Sequence, residues 1–180
     1  MNVDKMTERV REALSDAFSR ALRERNPNVE PEHMLAALLD QQGGVAAALL
    51  AKAGPDVASL RAKTDETLAR LPHLSGSGDV QPQLSGGASR VLVAAGDEAT
   101  KLTDEFVSAE HLLLAIVEST GAAGRLLRDA GVTRDGVLGA LRDVRGNQRV
   151  TTQNPEGTYQ SLERYGQDLT QEPKRASSTR

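Results

Sequence analysis

The sequence predicts an all-α fold of two tandem four-helix repeats, and three observations carry the prediction. The stretch VEPEHMLAALLD (29–40) returns as VSAEHLLLAIVE (107–118). Laying each residue on the one 78 positions later aligns Glu32 with Glu110, His33 with His111, Leu35 with Leu113 and Leu38 with Ile116; upstream, Leu14 falls on Leu92, Ala17 on Ala95 and Ala21 on Ala99. After a one-residue slip, ALLAKAG (48–54) matches RLLRDAG (125–131). The second observation is an apolar inventory dominated by Ala and Leu, with two Phe, two Tyr and no Trp, which suits close helix–helix packing better than a sheet. The third is the lack of any stretch that alternates with period two. Two copies are too few for an open solenoid. The repeats, about 6–71 and 84–145, are therefore expected to bury their apolar faces against each other as one compact pseudo-twofold domain over 1–145.

The first helix is predicted from Thr7, a candidate N-cap, to about Arg25, with Val10, Leu14, Ala17, Phe18 and Ala21 at helical spacing. The second follows Glu30 with Pro31 at its first position, where a missing N–H costs nothing. Its apolar face is Met34, Leu35, Leu38 and Leu39. Gly43-Gly44 breaks the chain, and a short third helix, Val45 to Lys52, ends at Gly54. The fourth starts near Pro55-Asp56 and carries Val57, Leu60, Leu68 and Leu71. The second copy repeats the plan at about 88–102, 109–119, 122–130 and 134–145, with Ser108 and Thr133 as candidate N-caps. Between the copies, PHLSGSGDVQPQLSGG (72–87) reads as a linker. Residues 146–180 read as an exposed linker and a polar, disordered tail. Within them Tyr159, Leu162 and Tyr165 could share one side of a short turn.

Composition narrows the function. A net charge of −3 lacks the clustered Lys and Arg of a nucleic-acid footprint. With no Cys there is no disulfide framework and no thiolate metal site, which fits a cytoplasmic location. The polar start MNVDKMTERV is no signal peptide, and no apolar run approaches a membrane span.

The chain carries no Gly-x-x-x-x-Gly-Lys-Ser/Thr phosphate loop, no Gly-x-Gly-x-x-Gly and no Gly-x-Ser-x-Gly elbow. The Glu-His pairs have no second His four residues on, as a zinc-binding helix requires. His33 and His111 could meet across the pseudo-axis and hold a metal, but helical positions partly buried under a neighbour account for both. Glu32 and Glu110 sit at the second position of their helices, where a carboxylate offsets the positive end of the helix dipole; a repeated surface acid could also read a cation on a partner. Asp104 is a turn residue able to bond nearby backbone. No enzyme site emerges.

Two tandem four-helix copies, each with Glu-His-(Leu/Met)-Leu opening its second helix, resemble the N-terminal (Clp repeat) domain of the Clp/Hsp100 family of AAA+ unfoldases over 1–145. RVTTQNPEGTYQSLERYGQDLTQ (149–171), RLPHLSGSGDVQP (70–82) and the N-terminal decapeptide resemble its disaggregase branch, the ClpB type. There the Asp-Leu-Thr segment runs on into the first ATPase module; here QEPKRASSTR follows. The expectation is an isolated N-terminal module with its linker: monomeric, without ATP or Mg of its own, and unable to hydrolyse ATP.

The resemblance implies a substrate-recognition module that binds unfolded or aggregated polypeptide in an apolar groove and passes it to the ATPase ring of a parent hexamer cooperating with the Hsp70 system. The family's polar positions carry over to Thr7, Asp104 and Glu110. Candidate groove residues are Leu92, Val93, Leu112 and Leu14, although core packing would account for Val93, Leu112 and Leu14 as well. Ala94 and Glu98 stand where the family often has larger apolar side chains, which predicts a shallower groove. An alternative within the family is an adaptor- or phosphoarginine-binding domain of the ClpA/ClpC type, acting through Glu32 and Glu110. A small helical hydrolase and an inert bundle complete the alternatives.

Overall fold

The computed structural model describes residues 3–146 and 148–155. Among the described residues eight α-helices form: α1 Glu8–Arg23, α2 Pro31–Asp40, α3 Val45–Ala53, α4 Val57–Ala69, α5 Gly86–Lys101, α6 Ala109–Val117, α7 Ala122–Asp129 and α8 Arg134–Arg145. A 3-10 turn at Val3–Lys5 and two strands, β1 Asn28–Val29 and β2 Gln83–Leu84, complete the order. The turn expected around Tyr159, Leu162 and Tyr165, and the polar end, lie outside the described residues.

Helix starts follow local capping chemistry. The Thr7 hydroxyl accepts from the Val10 N–H, that of Thr133 from Gly136, and the Asp56 carboxylate from Ala58 and Ser59, each cap contributing about 1 kcal/mol. α5 begins at Gly86, inside the stretch expected to be linker, because Ser85 caps it through the Ala88 N–H. That cap offsets part of the cost of two glycines in the first turn. α1 and α5 end alike. Arg25 and Thr103, 78 positions apart, both take left-handed backbone at φ 55° and 56°. Asn26 and Asp104 then return N–H bonds of 2.8 Å to the carbonyls of Ala21 and Ala99, closing the last turn as a Schellman-type stop.

The two strands are too short to show as alternation in the sequence, yet they reveal how the repeats interlock. β1 pairs in parallel with β2, Val29 opposite Leu84. An isolated parallel bridge joins Met6 to Val107, and each of these partners lies 78 positions from one of the first pair. Each repeat thus lays the stretch before its second helix beside the stretch before the other repeat's first helix.

α2 and α6 are the central helices. Every residue of α2 from Pro31 to Leu39, and every residue of α6, is buried, as expected of helices apolar all round. Leu35, Leu38, Leu39, Leu112, Leu113 and Ile116 form the heart of one continuous core, each burial worth roughly 2 kcal/mol. Among the described residues no single helix is long and apolar enough to cross a membrane.

One boundary differs from expectation. Residues 148–155 are exposed at most positions but are anchored to the domain rather than standing off from it. Val150 is fully buried in the core cluster, and its carbonyl accepts from the Glu105 N–H at 2.8 Å. A lone apolar residue in a polar run finds a pocket that periodicity cannot show.

Candidate functional site

The repeated Glu-His motif is first of all a device for starting a helix. His33 is the third residue of α2, and its Nδ1 accepts from the Glu30 N–H at 2.9 Å; His111 does the same for Ser108 at 2.8 Å. The imidazole occupies the place that Glu or Gln takes in a capping box. With Nδ1 accepting, Nε2 carries the proton. It donates to Asn26 Oδ1 at 2.9 Å in the first repeat and to Asp104 Oδ2 at 2.6 Å in the second. Burial holds His33 neutral, with its pKa lowered to about 4. Each histidine is thus engaged within its own repeat.

Asp104 is the centre of a buried ionic cluster. Arg145, the last residue of α8, grips it with Nη2 at 2.6 and 2.7 Å, and the Val150 N–H donates to Oδ1 at 2.9 Å. Arg145 Nη1 reaches Glu110 Oε2 at 2.9 Å. The side chains of Asp104 and Glu110 are 0 % exposed and that of Arg145 6 %. Burial pushes the Asp104 carboxyl up, but hydrogen bonds from His111, Arg145 and Val150, with the charge of Arg145, outweigh it and leave the pKa below the usual value. Thr7 is also fully buried, its N–H on the Val107 carbonyl at 3.0 Å.

Thr7, Asp104 and Glu110, which the resemblance implies as polar substrate-binding positions, do not make a solvent-facing rim: Thr7 is fully buried, and the side chains of Asp104 and Glu110 are sequestered from water by their guanidinium partner. Leu112 is corrected likewise, as a fully buried core residue, and Leu92 is 5 % exposed on the inner side of α5. Leu14 is half-buried against the core. Val93 is the outlier, 67 % exposed on the outer side of α5.

An open cleft lies elsewhere, along the seam between the repeats. A cleft of about 500 Å3 runs between the start of α2, one side of α5 and the α6–α7 junction. Pro31, Leu71, Val91, Ala94, Ala115 and Ala122 make its apolar wall, and Glu30, Glu32, Glu118 and Arg90 supply charge. Ala94 opens the wall where a larger side chain would close it. Glu98, one turn further along α5, is buried and ion-paired with Arg134. Of the residues singled out from sequence, Glu32 and the groove position Ala94 line this cleft. Leu71 had read only as part of the fourth helix's apolar face, and Val91, Ala115 and Ala122 had not been singled out.

Glu32 and Glu110 have diverged. Glu32 is 6 % exposed, and its carboxylate accepts from its own N–H and from that of Ala123 at the start of α7, a helix whose N-cap, Gly121, offers no side chain. Burial, helped by repulsion from Glu30, raises its pKa against those hydrogen bonds, and among the described residues no cation contributes to this shift. Glu110 has Arg145. Among the described residues no group of three or more His, Asp or Glu side chains is placed to hold a metal.

Comparison with known proteins agrees with this architecture. The model of the Clp repeat (R) N-terminal domain matches residues 5–130. Chaperone protein ClpB of Bacillus anthracis is 39 % identical over 176 residues, which are 97 % of this chain and 20 % of that protein; the chain therefore spans about a fifth of the relative's length. The crystal structure of the Hsp104 N-terminal domain from Candida albicans superposes with a TM-score of 0.71 at 22 % identity, covering 83 % of this chain and 97 % of that one. A complex of a ClpV N-domain with a VipB peptide superposes with a TM-score of 0.62 at 20 % identity, covering 77 % of this chain and 86 % of that one. The chain is homologous to the N-terminal region of ClpB, and it belongs to the Clp repeat (R) N-terminal domain family.

Proposed function

We propose that this chain is the polypeptide-recognition module of a ClpB-like chaperone and that it holds exposed apolar segments of unfolded or aggregated protein in the inter-repeat cleft. The observation that carries the reading is the cleft itself: about 500 Å3, walled by apolar side chains from both repeats and edged by charge. Such a concavity accepts short apolar side chains while the rim fixes the peptide's path. Ala94, Ala115 and Ala122 make it wide and smooth, which favours many weakly discriminated segments over one tightly fitted motif. The ClpV N-domain, of the same fold, is known with a peptide bound. Delivery to an ATPase ring, assembly of the parent into a hexamer and cooperation with the Hsp70 system belong to the same proposal. So does a cytoplasmic location, with neither nucleic acid nor membrane as partner and no nucleotide or metal bound by this chain. Affinity in one isolated cleft is expected to be weak and to gain from repetition in a ring.

The test is an NMR titration of labelled protein with a soluble unfolded polypeptide such as a casein. Shifts clustered at Leu71, Val91, Ala94 and Ala115 support the reading. Shifts confined to Thr7, Asp104 and Glu110 would move the binding surface to the buried cluster, and no shifts at high ligand concentration would reject it.

A second reading is favoured by one observation. Glu32 is a buried carboxylate facing the cleft without a cationic partner among the described residues, whereas Glu110 is occupied by Arg145. A guanidinium-bearing ligand, phosphorylated arginine in the ClpC manner, would restore the missing pair at Glu32 alone. Free phosphoarginine shifting Glu32 and Ala123 while casein shifts nothing would select this reading.

A further inference from the structure

The segment after α8 is bound to the domain the way a peptide is bound to a receptor. It makes contacts at three places. Arg149 Nη1 donates to the Leu102 carbonyl at 2.9 Å. Val150 gives its N–H to Asp104, takes the Glu105 N–H on its carbonyl, and buries its side chain completely. Three residues on, the Gln153 carbonyl accepts the N–H of Glu8, the first residue of α1, at 2.8 Å. The Gln153 amide in turn donates to the Asp4 carbonyl at 3.3 Å. Between these anchors Thr151 and Thr152 are exposed. The partners all lie on the α5–α6 turn or at the start of α1. That surface is itself organised by the Met6–Val107 bridge, so the segment lies against a pairing between the two repeats.

We infer that residues 148–154 are a strap with a docked and a released state, that Asp104 is its latch, and that the strap sets where and how tightly the domain is held to the chain that follows. The chemistry of the latch is specific. Asp104 stays ionised and oriented because His111 and Arg145 hold it from two sides, and the remaining direction of Oδ1 is aimed at the one backbone N–H of the strap that must be satisfied on burial. A short segment held by buried Val150, buried Pro155 and a few hydrogen bonds beyond the last packed helix belongs to the low-stability part of a fold, which opens before the rest. Docked, the chain leaves the domain beside the start of α1. Released, seven residues pay out as flexible tether, adding up to about 25 Å of reach. The inference is independent of the function proposed for the cleft, since none of the strap's contacts lines it.

Native-state hydrogen exchange on the full chain across low denaturant tests the strap, followed residue by residue. The amides of Glu8, Glu105 and Val150 are expected to exchange more slowly than that of exposed Thr151, yet to open well before those of Leu38 and Leu114. Val150→Asp, which removes the apolar anchor, should speed all three at least tenfold, with Leu38 and Leu114 unchanged. Wild-type amides of Glu8, Glu105 and Val150 exchanging as fast as Thr151 would show that no docked state exists. Opening of the three only together with Leu38 and Leu114 would show that the segment is core and not a strap, and that result is readable in the wild type even if Val150→Asp fails to fold.

Discussion

Asn26 and Asp104 occupy the same place in the two repeats, receive the Nε2–H of the same histidine position, and differ in charge. Each also grips the chain that leaves its repeat's fourth helix. Asn26 Nδ2 donates to the Pro72 carbonyl at 3.0 Å, and Asp104 Oδ1 accepts from the Val150 N–H at 2.9 Å. An amide has a donor to offer a carbonyl; a carboxylate is acceptor-only and suits an N–H. The charge is tolerated in the second repeat because Arg145 stands against it. Asp104→Asn is therefore expected to be far from conservative. Its four incoming N–H bonds include two from Arg145, and wherever the new NH2 points it meets another donor. The loss should be on the order of 3 kcal/mol, read as a fall in the midpoint of urea unfolding. A change below about 0.5 kcal/mol would show that the cluster does not hold the fold.

Glu110 gives a second prediction, opposite to what a solvent-exposed rim would show. Removing one partner of a buried ion pair leaves the other charge under-compensated, at a cost of about 3–5 kcal/mol. The dipole contribution of an exposed acid at a helix start would be only about 0.3–1 kcal/mol. Glu110→Ala should thus lower thermal stability sharply, and Glu110→Gln, which keeps an acceptor for Arg145, should recover part of it. A small effect from Glu110→Ala, together with weakened polypeptide binding, would restore the rim.

The His33 ring predicts how stability depends on acid. Its folded pKa is lowered to about 4 by burial, against about 6.5 in an unfolded chain. Between those values the unfolded state binds the extra proton, so stability falls as pH drops from about 6.5 to 4 and is unaffected above that window. The full difference corresponds to roughly 3 kcal/mol. Asp104 acts lower. Its folded pKa is depressed below 3.8, so the stability it contributes is present above the ordinary aspartate value and is lost only as pH falls through the folded one. Urea midpoints from pH 7 to 4 should decline for the wild type and much less for His33→Gln, whose folded state has no buried ring to protonate. Parallel declines would assign the acid sensitivity to other groups.

The limits of what could be read from sequence follow from distance along the chain. Thr7, Ser108 and Thr133 were legible as caps because a cap and its N–H lie three residues apart. The repeat was legible because both copies keep their core spacing, and α2 and α6 because an apolar run beside a Pro or Ser announces itself. α5 began earlier than expected since two glycines read as linker until Ser85 is seen to cap them. Asp104, Glu110 and Arg145 were misplaced because the guanidinium that buries the two acids lies 35 and 41 residues away, with nothing local to announce it. The cleft was invisible for the same reason. Leu71, Val91 and Ala122 come from three helices or their ends, and no spacing rule brings them to one wall.

Val93 and Ala94, neighbours on α5, separate the sequence's groove from the structure's cleft. Val93 is two-thirds exposed and faces outward; Ala94 is half-buried and lines the inter-repeat cavity. Trp at Ala94 would fill much of the space a peptide side chain needs, in a cavity that tolerates added volume, so stability should change by less than about 1 kcal/mol. Binding of an unfolded polypeptide should weaken at least fivefold and, being apolar, should vary little between low and high salt in the wild type. Trp at Val93 adds the same bulk one residue away, on the solvent side, and should leave affinity within twofold. Fluorescence anisotropy of a labelled casein against the two variants measures both. Equal losses would return the outer side of α5 to the binding surface. Loss at Val93 alone would abandon the cleft, because helical geometry turns adjacent residues about 100° apart and no peptide seated in the seam could feel the one and ignore the other.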